Sequence, residues 1–167
     1  MAEKLKSNVY SEIGELEGVI IHTPGREVEN MTPRNAEKAL YSDILNKNIV
    51  DKEYSQFKQV LSSLTQTYEV KDLLAGALVN EKIKYDLVRK ITVNERVEYL
   101  HNHLMGLSPD ELARQLIEGV VMNVDNLTKY LSTQRYSLVP LHNFFFTRDA
   151  SISIYDKVLI ISFQSLF

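Results

Sequence analysis

The sequence predicts a mixed α/β architecture interrupted by a block of helices. Three observations predict it: short β-branched runs lie towards both ends of the chain, helical apolar stripes separate the first of them from the next, and the middle of the chain carries little strand signal.

Gly18-Val19-Ile20-Ile21-His22 is a β-branched run closed by Thr23-Pro24-Gly25, the pattern of a buried strand ending in a turn. In the helix expected next, Thr32 is the cap and Pro33 sits in the first turn, where a missing amide costs nothing. Ala36, Leu40, Ile44 and Leu45 form its apolar stripe. A second helix is predicted from Asp51, because Tyr54, Phe57, Val60, Leu61 and Leu64 recur at helical spacing and define an apolar face. Tyr68-Glu69-Val70 then reads as a strand and completes a strand, helix, strand unit.

From about Asp72 to Gln134 short helices are expected to follow one another. Thr92-Val93-Asn94-Glu95 and Ser108-Pro109-Asp110-Glu111 both fit the capping box, in which a hydroxyl and a carboxylate three residues apart satisfy the exposed amides of a helix start. Leu112, Leu116, Ile117, Val120 and Val121 supply the apolar side of the second of these helices, and Leu127, Tyr130 and Leu131 point to a further one. β character returns from Tyr136. Ile152 and Ile154 before Tyr155-Asp156-Lys157, with Val158-Leu159-Ile160-Ile161 after it, predict a hairpin whose turn lacks the usual glycine. The expected divisions are an α/β module over 1–71, a helical insertion over 72–134 and the start of a further β module over 135–167. The chain ends on Ser162-Phe163-Gln164-Ser165-Leu166-Phe167, and an apolar strand with no polar tail after it normally continues to a partner, so the chain is expected to be part of a longer one.

Composition narrows the function classes. The chain has 167 residues, 44% hydrophobic and 25% charged, with a net charge of -3, enough for one domain with a sizeable core. Lys and Arg are scattered among Asp and Glu without a basic stripe, so no nucleic-acid partner is expected. No stretch approaches the roughly 18 consecutive apolar residues of a membrane span, and Met1 to Lys6 lead into no apolar segment. A cytoplasmic protein with no membrane partner is expected. The absence of cysteine excludes disulfides and thiolate zinc sites within these residues. Among the histidines, His22, His101, His103 and His142, the middle pair stands two apart, whereas paired ligands on a helix stand four apart. Solvated surface histidines are expected, with no metal and no cofactor. Gly14-Glu15-Leu16-Glu17-Gly18 lacks the phosphate-loop pattern, which disfavours a nucleotide site.

Chemistry is best sought in Asn143-Phe144-Phe145-Phe146-Thr147-Arg148-Asp149, which sets a carboxylate at the end of an apolar, strand-like run. Asp149 either holds a cationic ligand, caps a turn or pairs with Arg148 on the surface. A guanidinium presents five donors in a fixed fork, so a site that holds one needs carboxylates that accept paired hydrogen bonds, and one aspartate is half of such a clamp. Asn143 either meets a ligand or bonds to the loop backbone. On a strand Phe144, Phe145 and Phe146 cannot all face one way, so at least one belongs to the core and another is free to wall a pocket.

Six segments occur in the order and spacing of one family: Tyr10-Ser11-Glu12-Ile13-Gly14-Glu15-Leu16, Pro24-Gly25-Arg26-Glu27, Thr32-Pro33, Leu40-Tyr41-Ser42-Asp43-Ile44-Leu45, Pro140-Leu141-His142-Asn143 and Phe146-Thr147-Arg148-Asp149. Over essentially its whole length the sequence resembles the arginine deiminases of the guanidine-modifying superfamily. The helical insertion resembles theirs as well. Dimethylarginine hydrolases lack one of this size, which favours free L-arginine as the substrate.

This resemblance implies a pentein-type fold, a pseudo-fivefold α/β propeller, of which the chain supplies the opening modules and the insertion. It implies that Asp149 is the catalytic carboxylate holding the guanidinium, and that Leu40, Asn143 and Phe146 line the substrate pocket. His142 stands where the family commonly has proline, and Ser42 where many relatives have aspartate. The implied chemistry is attack of a cysteine thiolate on the guanidinium carbon, proton transfer by a histidine, loss of ammonia and hydrolysis of the thiouronium to L-citrulline. By the same resemblance the cysteine and that histidine lie beyond Phe167, so this chain alone is expected to be inactive. The alternatives are a non-catalytic arginine-binding or assembly module, a helical protein acting through partner contacts, and deimination of agmatine or peptidyl-arginine. Exposed strand edges leave pairing with another copy of the chain open.

Overall fold

The computed structural model of the chain describes residues 7–29, 45–122, 135–148 and 151–160. Strand β1 (Gly18–Ile21) leads through His22-Thr23-Pro24-Gly25 into a single helical turn, α1 (Arg26–Glu29). Helix α2 (Lys47–Leu64) and strand β2 (Gln66–Glu69) follow, and β2 pairs parallel to β1 in the register Gly18↔Gln66 to Ile21↔Glu69. A parallel pair joined by a helix is the strand, helix, strand unit expected from the sequence. The helix expected from Thr32 lies outside the described residues.

Two details of the unit differ from expectation. Helix α2 begins four residues ahead of Asp51, because the Asn46 side chain accepts from the Asn48 amide and caps the helix there. Its apolar face is present but open among the described residues: Phe57, Val60 and Leu64 are at least half exposed, while Tyr54 and Leu61 are partly covered. Val70, read as the end of the strand, instead starts the next helix, α3 (Val70–Leu78).

A helical group follows, made of α3, α4 (Glu81–Asn94), a short 3-10 turn (Glu98–Leu100), α5 (His101–Met105) and α6 (Pro109–Glu118). Its core joins Ala75, Leu78, Val88, Val97, Leu100, Leu104, Leu112, Ala113 and Leu116, and Leu138 from a later strand completes it. Ser108 caps α6 as expected: its Oγ accepts from the Glu111 amide and Pro109 takes the first helical position. Thr92-Val93-Asn94-Glu95 does the opposite of what its pattern predicts and ends a helix. The real start of α4 is capped by Asn80, whose side chain accepts from the amides of Lys82 and Ile83. At the other end Arg96 takes a left-handed conformation, φ 56°, so that its amide reaches Val93 O and the Val97 amide reaches Thr92 O. This closes a Schellman turn with the buried Val97 as its apolar plug.

After α6 the chain turns at Gly119, φ 82°, into β3 (Val120–Val121), which pairs antiparallel with β4 (Tyr136–Leu138). Val120 and Val121 are therefore strand residues and not the last turn of α6. A Cβ at Gly119 would stand 2.6 Å from Leu138 O, so the close crossing needs glycine. The hairpin β5 (Ser151–Ile154) and β6 (Lys157–Ile160) forms as predicted, and Tyr155 supplies the positive φ, 52°, that a glycine would. Val9 pairs with Tyr155 across the chain, with amide bonds of 2.9 and 2.8 Å in the two directions. The further helix expected around Leu127 and Tyr130 lies outside the described residues. Among the described residues no helix is long and apolar enough to cross a membrane.

Candidate functional site

Three segments meet at the carboxyl ends of the parallel strands: the turn after β1, the end of β2 and the loop that follows β4. In open α/β sheets ligand groups gather at this end, where the backbone leaves the strands and loops can vary.

Glu69 binds the first two together. Its carboxylate accepts from the Thr23 amide at 2.9 Å, from Thr23 Oγ1 at 2.6 Å and from Lys58 Nζ at 2.5 Å, which fixes the turn to β2 and to α2. Burial pushes the Glu69 carboxyl up, yet the Lys58 and Thr23 bonds outweigh it and hold the group below the ordinary value. The His22 amide donates to the Tyr54 hydroxyl at 3.2 Å, a second tie to α2. Burial, assisted by the negative charge of Glu69, raises the Tyr54 phenol, which therefore keeps its proton.

A buried polar cluster lies just beneath the turn. Glu27 is fully buried, and its Oε1 accepts from the Gly25 amide at 2.6 Å and faces His22 Nε2 at 3.1 Å. Burial alone would raise this carboxyl. The bonds from His22 and from the backbone together reverse the effect and hold it below the ordinary value, so the group is a carboxylate and His22 Nε2 is the donor. Gly25 makes room for it: a Cβ there would stand 2.7 Å from Glu27 Oε2.

The third segment docks on this cluster. His142 Nδ1 contacts the Glu27 carbonyl, and since a carbonyl only accepts, Nδ1 carries the proton. The Leu141 amide bonds to Ile117 O at 2.9 Å, the Phe144 ring stands edge-on to His22 with centroids 4.9 Å apart, and Thr147 Oγ1 donates to Ile20 O at 3.3 Å. Residues 141–148 are a run of turns and not the strand-like segment their apolar character predicts. Local bonds from the Phe144 amide to Leu141 O and from the Phe146 amide to Asn143 O take the place of a ladder.

Of the residues singled out from the sequence, Asn143 and Phe146 both lie on this loop with exposed surfaces, and Phe146 stacks at a tilt on Phe145 with centroids 4.3 Å apart. Leu40 and Asp149 lie outside the described residues. Arg148 is 88% exposed and stands 3.7 Å from Glu12, a solvent-screened contact that contributes little. The histidines separate into two kinds. His101 and His103 lie on α5, where His103 Nε2 meets Gln115 Oε1 at 3.1 Å, whereas His22 and His142 are buried and not solvated as expected. Among the described residues no three His, Cys, Asp or Glu side chains gather in a way that could hold a metal ion. Sequence reasoning passed over Glu27. The sequence shows only a carboxylate two residues past a Pro-Gly turn, and its burial beside the fully buried Val28 is seen only in the structure.

Fold and site together define a mixed α/β chain in which the loop after β4 docks at the carboxyl end of a parallel strand pair. No family model matches the chain. It is similar, however, to the arginine deiminase of Bacillus cereus (strain B4264), with 33% identity over 92% of this chain and 41% of the relative. It is similar likewise to the arginine deiminases of Pediococcus pentosaceus, 32% identical, and Limosilactobacillus fermentum, 31% identical, with the same coverage. The resemblance read from the sequence motifs is thus a homology to arginine deiminases that covers nearly all of this chain. The chain spans about two fifths of the length of the curated relatives it matches.

Proposed function

We propose that this chain forms the guanidinium-holding part of an arginine deiminase, a hydrolase acting on a carbon–nitrogen bond of L-arginine to give L-citrulline and ammonia. The observation that carries the reading is the similarity to arginine deiminases over 92% of the chain. The docking of the Asn143 and Phe146 loop on the end of β1 supports it, because a ligand pocket needs its walls fixed to rigid elements.

In this reading Asp149 accepts two hydrogen bonds from the guanidinium and keeps its charge in place through the reaction, and Leu40, Asn143 and Phe146 line the pocket. A cysteine thiolate attacks the guanidinium carbon, a histidine moves the protons and water releases citrulline from the thiouronium. The chain has no cysteine, and serine or threonine is a far weaker nucleophile without a base beside it. The thiolate is therefore supplied from outside these residues, and this chain alone is inactive. The same reading takes the α/β unit over 1–71, the insertion over 72–134 and the β segment over 135–167 as parts of a pentein-type propeller acting in the cytoplasm. In the same reading, strand edges of the described two-stranded sheets pair with another copy of the chain. The missing nucleophile favours one second reading, a non-catalytic arginine-binding module.

Calorimetric titration with L-arginine tests the site. Asp149→Ala is expected to weaken binding about ten- to a hundredfold, the loss of a charge-assisted pair of bonds. Equal affinity in chain and variant, or no binding by either, defeats the assignment of Asp149. Citrulline formation by the unmodified chain would overturn the inactivity.

A further inference from the structure

The loop that carries Asn143 and Phe146 is held by a contact that belongs to this sequence's own chemistry. His142 is buried, 8% exposed, and its Nδ1 proton is directed at the backbone carbonyl of Glu27, a residue 115 positions away. That carbonyl does not float: the Glu27 side chain is clamped by the Gly25 amide and by His22, so the acceptor is fixed from its own side chain outward. Phe144 from the same loop closes over His22 from the other side. Three consecutive bonds, His22 to the Glu27 carboxylate, Gly25 to the same carboxylate and His142 to the Glu27 carbonyl, thus link the turn after β1 to the loop after β4.

We propose that His142 is a positioning residue, a latch that sets the Asn143 and Phe146 loop against Glu27 and thereby shapes the wall of the arginine pocket. The part concerning arginine rests on the function proposed above. The latch itself rests on geometry. A proline at this position would offer neither a side-chain donor nor a backbone amide. Here the His142 amide also bonds to Pro140 O at 3.1 Å, so both donors of the residue serve the loop. Asparagine is the conservative replacement, because its side-chain NH2 lies near the place of the imidazole Nδ1 and can donate to the same carbonyl.

The test uses the full chain with His142→Ala and His142→Asn. Amide hydrogen exchange at Leu141, Phe144 and Phe146 reports loop docking directly and requires no turnover. His142→Ala is expected to speed exchange at these amides roughly five- to tenfold and to weaken arginine binding by a similar factor, with His142→Asn restoring most of both. Exchange left unchanged by His142→Ala overturns the latch, as does an asparagine variant that behaves like alanine. Faster exchange with unaltered arginine affinity overturns the positioning role. If the unmodified chain binds no arginine while exchange responds as stated, the arginine reading fails and the latch stands.

Discussion

Gly25 shows how one absent side chain decides the site. The Glu27 carboxylate folds back onto the Gly25 amide and fills the space where a Cβ would stand 2.7 Å from Oε2, with Glu118 Oε1 3.6 Å away on another side. Gly25→Ala therefore has to displace either the carboxylate or the turn. It is expected to destabilise the chain by about 1–3 kcal/mol, as overpacking of a closed site does, and urea unfolding measures it. The same substitution should release His22, visible as a change in its imidazole nitrogen resonances. At this scale the sequence was only partly legible. The segment Pro24-Gly25-Arg26-Glu27 signals a turn, but nothing in it tells that Glu27 faces inward, because the partner that makes burial tolerable, His22, is recognised only once the turn has closed.

Elements were legible where local chemistry and packing agree. Ser108-Pro109 caps a helix in sequence and structure alike, because the cap, the proline and the apolar stripe of Leu112, Leu116 and Ile117 all specify the same start. Thr92-Val93-Asn94-Glu95 fits the same template and fails, since the periodic residues Val88 and Thr92 already belong to a helix running into it. The phenylalanine run misleads for a related reason: its β propensity is overridden by turn bonds and by the docking of His142. The Schellman turn after α4 yields a prediction of its own. Arg96 is exposed and holds the left-handed conformation that glycine adopts without steric cost, so Arg96→Gly is expected to raise stability by about 1 kcal/mol in urea unfolding. Loss of stability would mean that the arginine side chain contributes more than its backbone strain costs.

At the scale of the molecule, three carboxylates among the described residues act in one direction. Glu27, Glu69 and Glu111 all have carboxyl pKa values lowered by folding. For Glu111 the value falls to about 2, chiefly through the bonds from Arg114 and then Gln115. A carboxyl lowered on folding contributes stability that is present above its unfolded pKa, 4.5 here, and is lost as pH falls through the folded value. The stability these carboxylates contribute is therefore expected to be complete above about pH 5 and to decline towards pH 2. Glu27→Gln should flatten that decline, because Glu27 is the buried member, whereas the Glu111 side chain is more than a third exposed and matters less. Denaturant midpoints taken across this pH range check the prediction. The ties between distant segments were not legible beforehand, since periodicity speaks only of neighbours: neither the bridge from Val9 to Tyr155 nor the bond from His142 to Glu27 leaves a local trace.

That bridge also bears on the order of assembly. Ser7 and Tyr155 stand 148 positions apart, whereas the helical group is built within residues 70–118, with α3 packed against α6. Closing so long a loop costs entropy that its few bonds do not recover until the rest of the chain is in place. Near-neighbour helices form rapidly and distant pairings slowly. The helical group is thus expected to condense early, and the two ends of the described chain to be among the last to find each other.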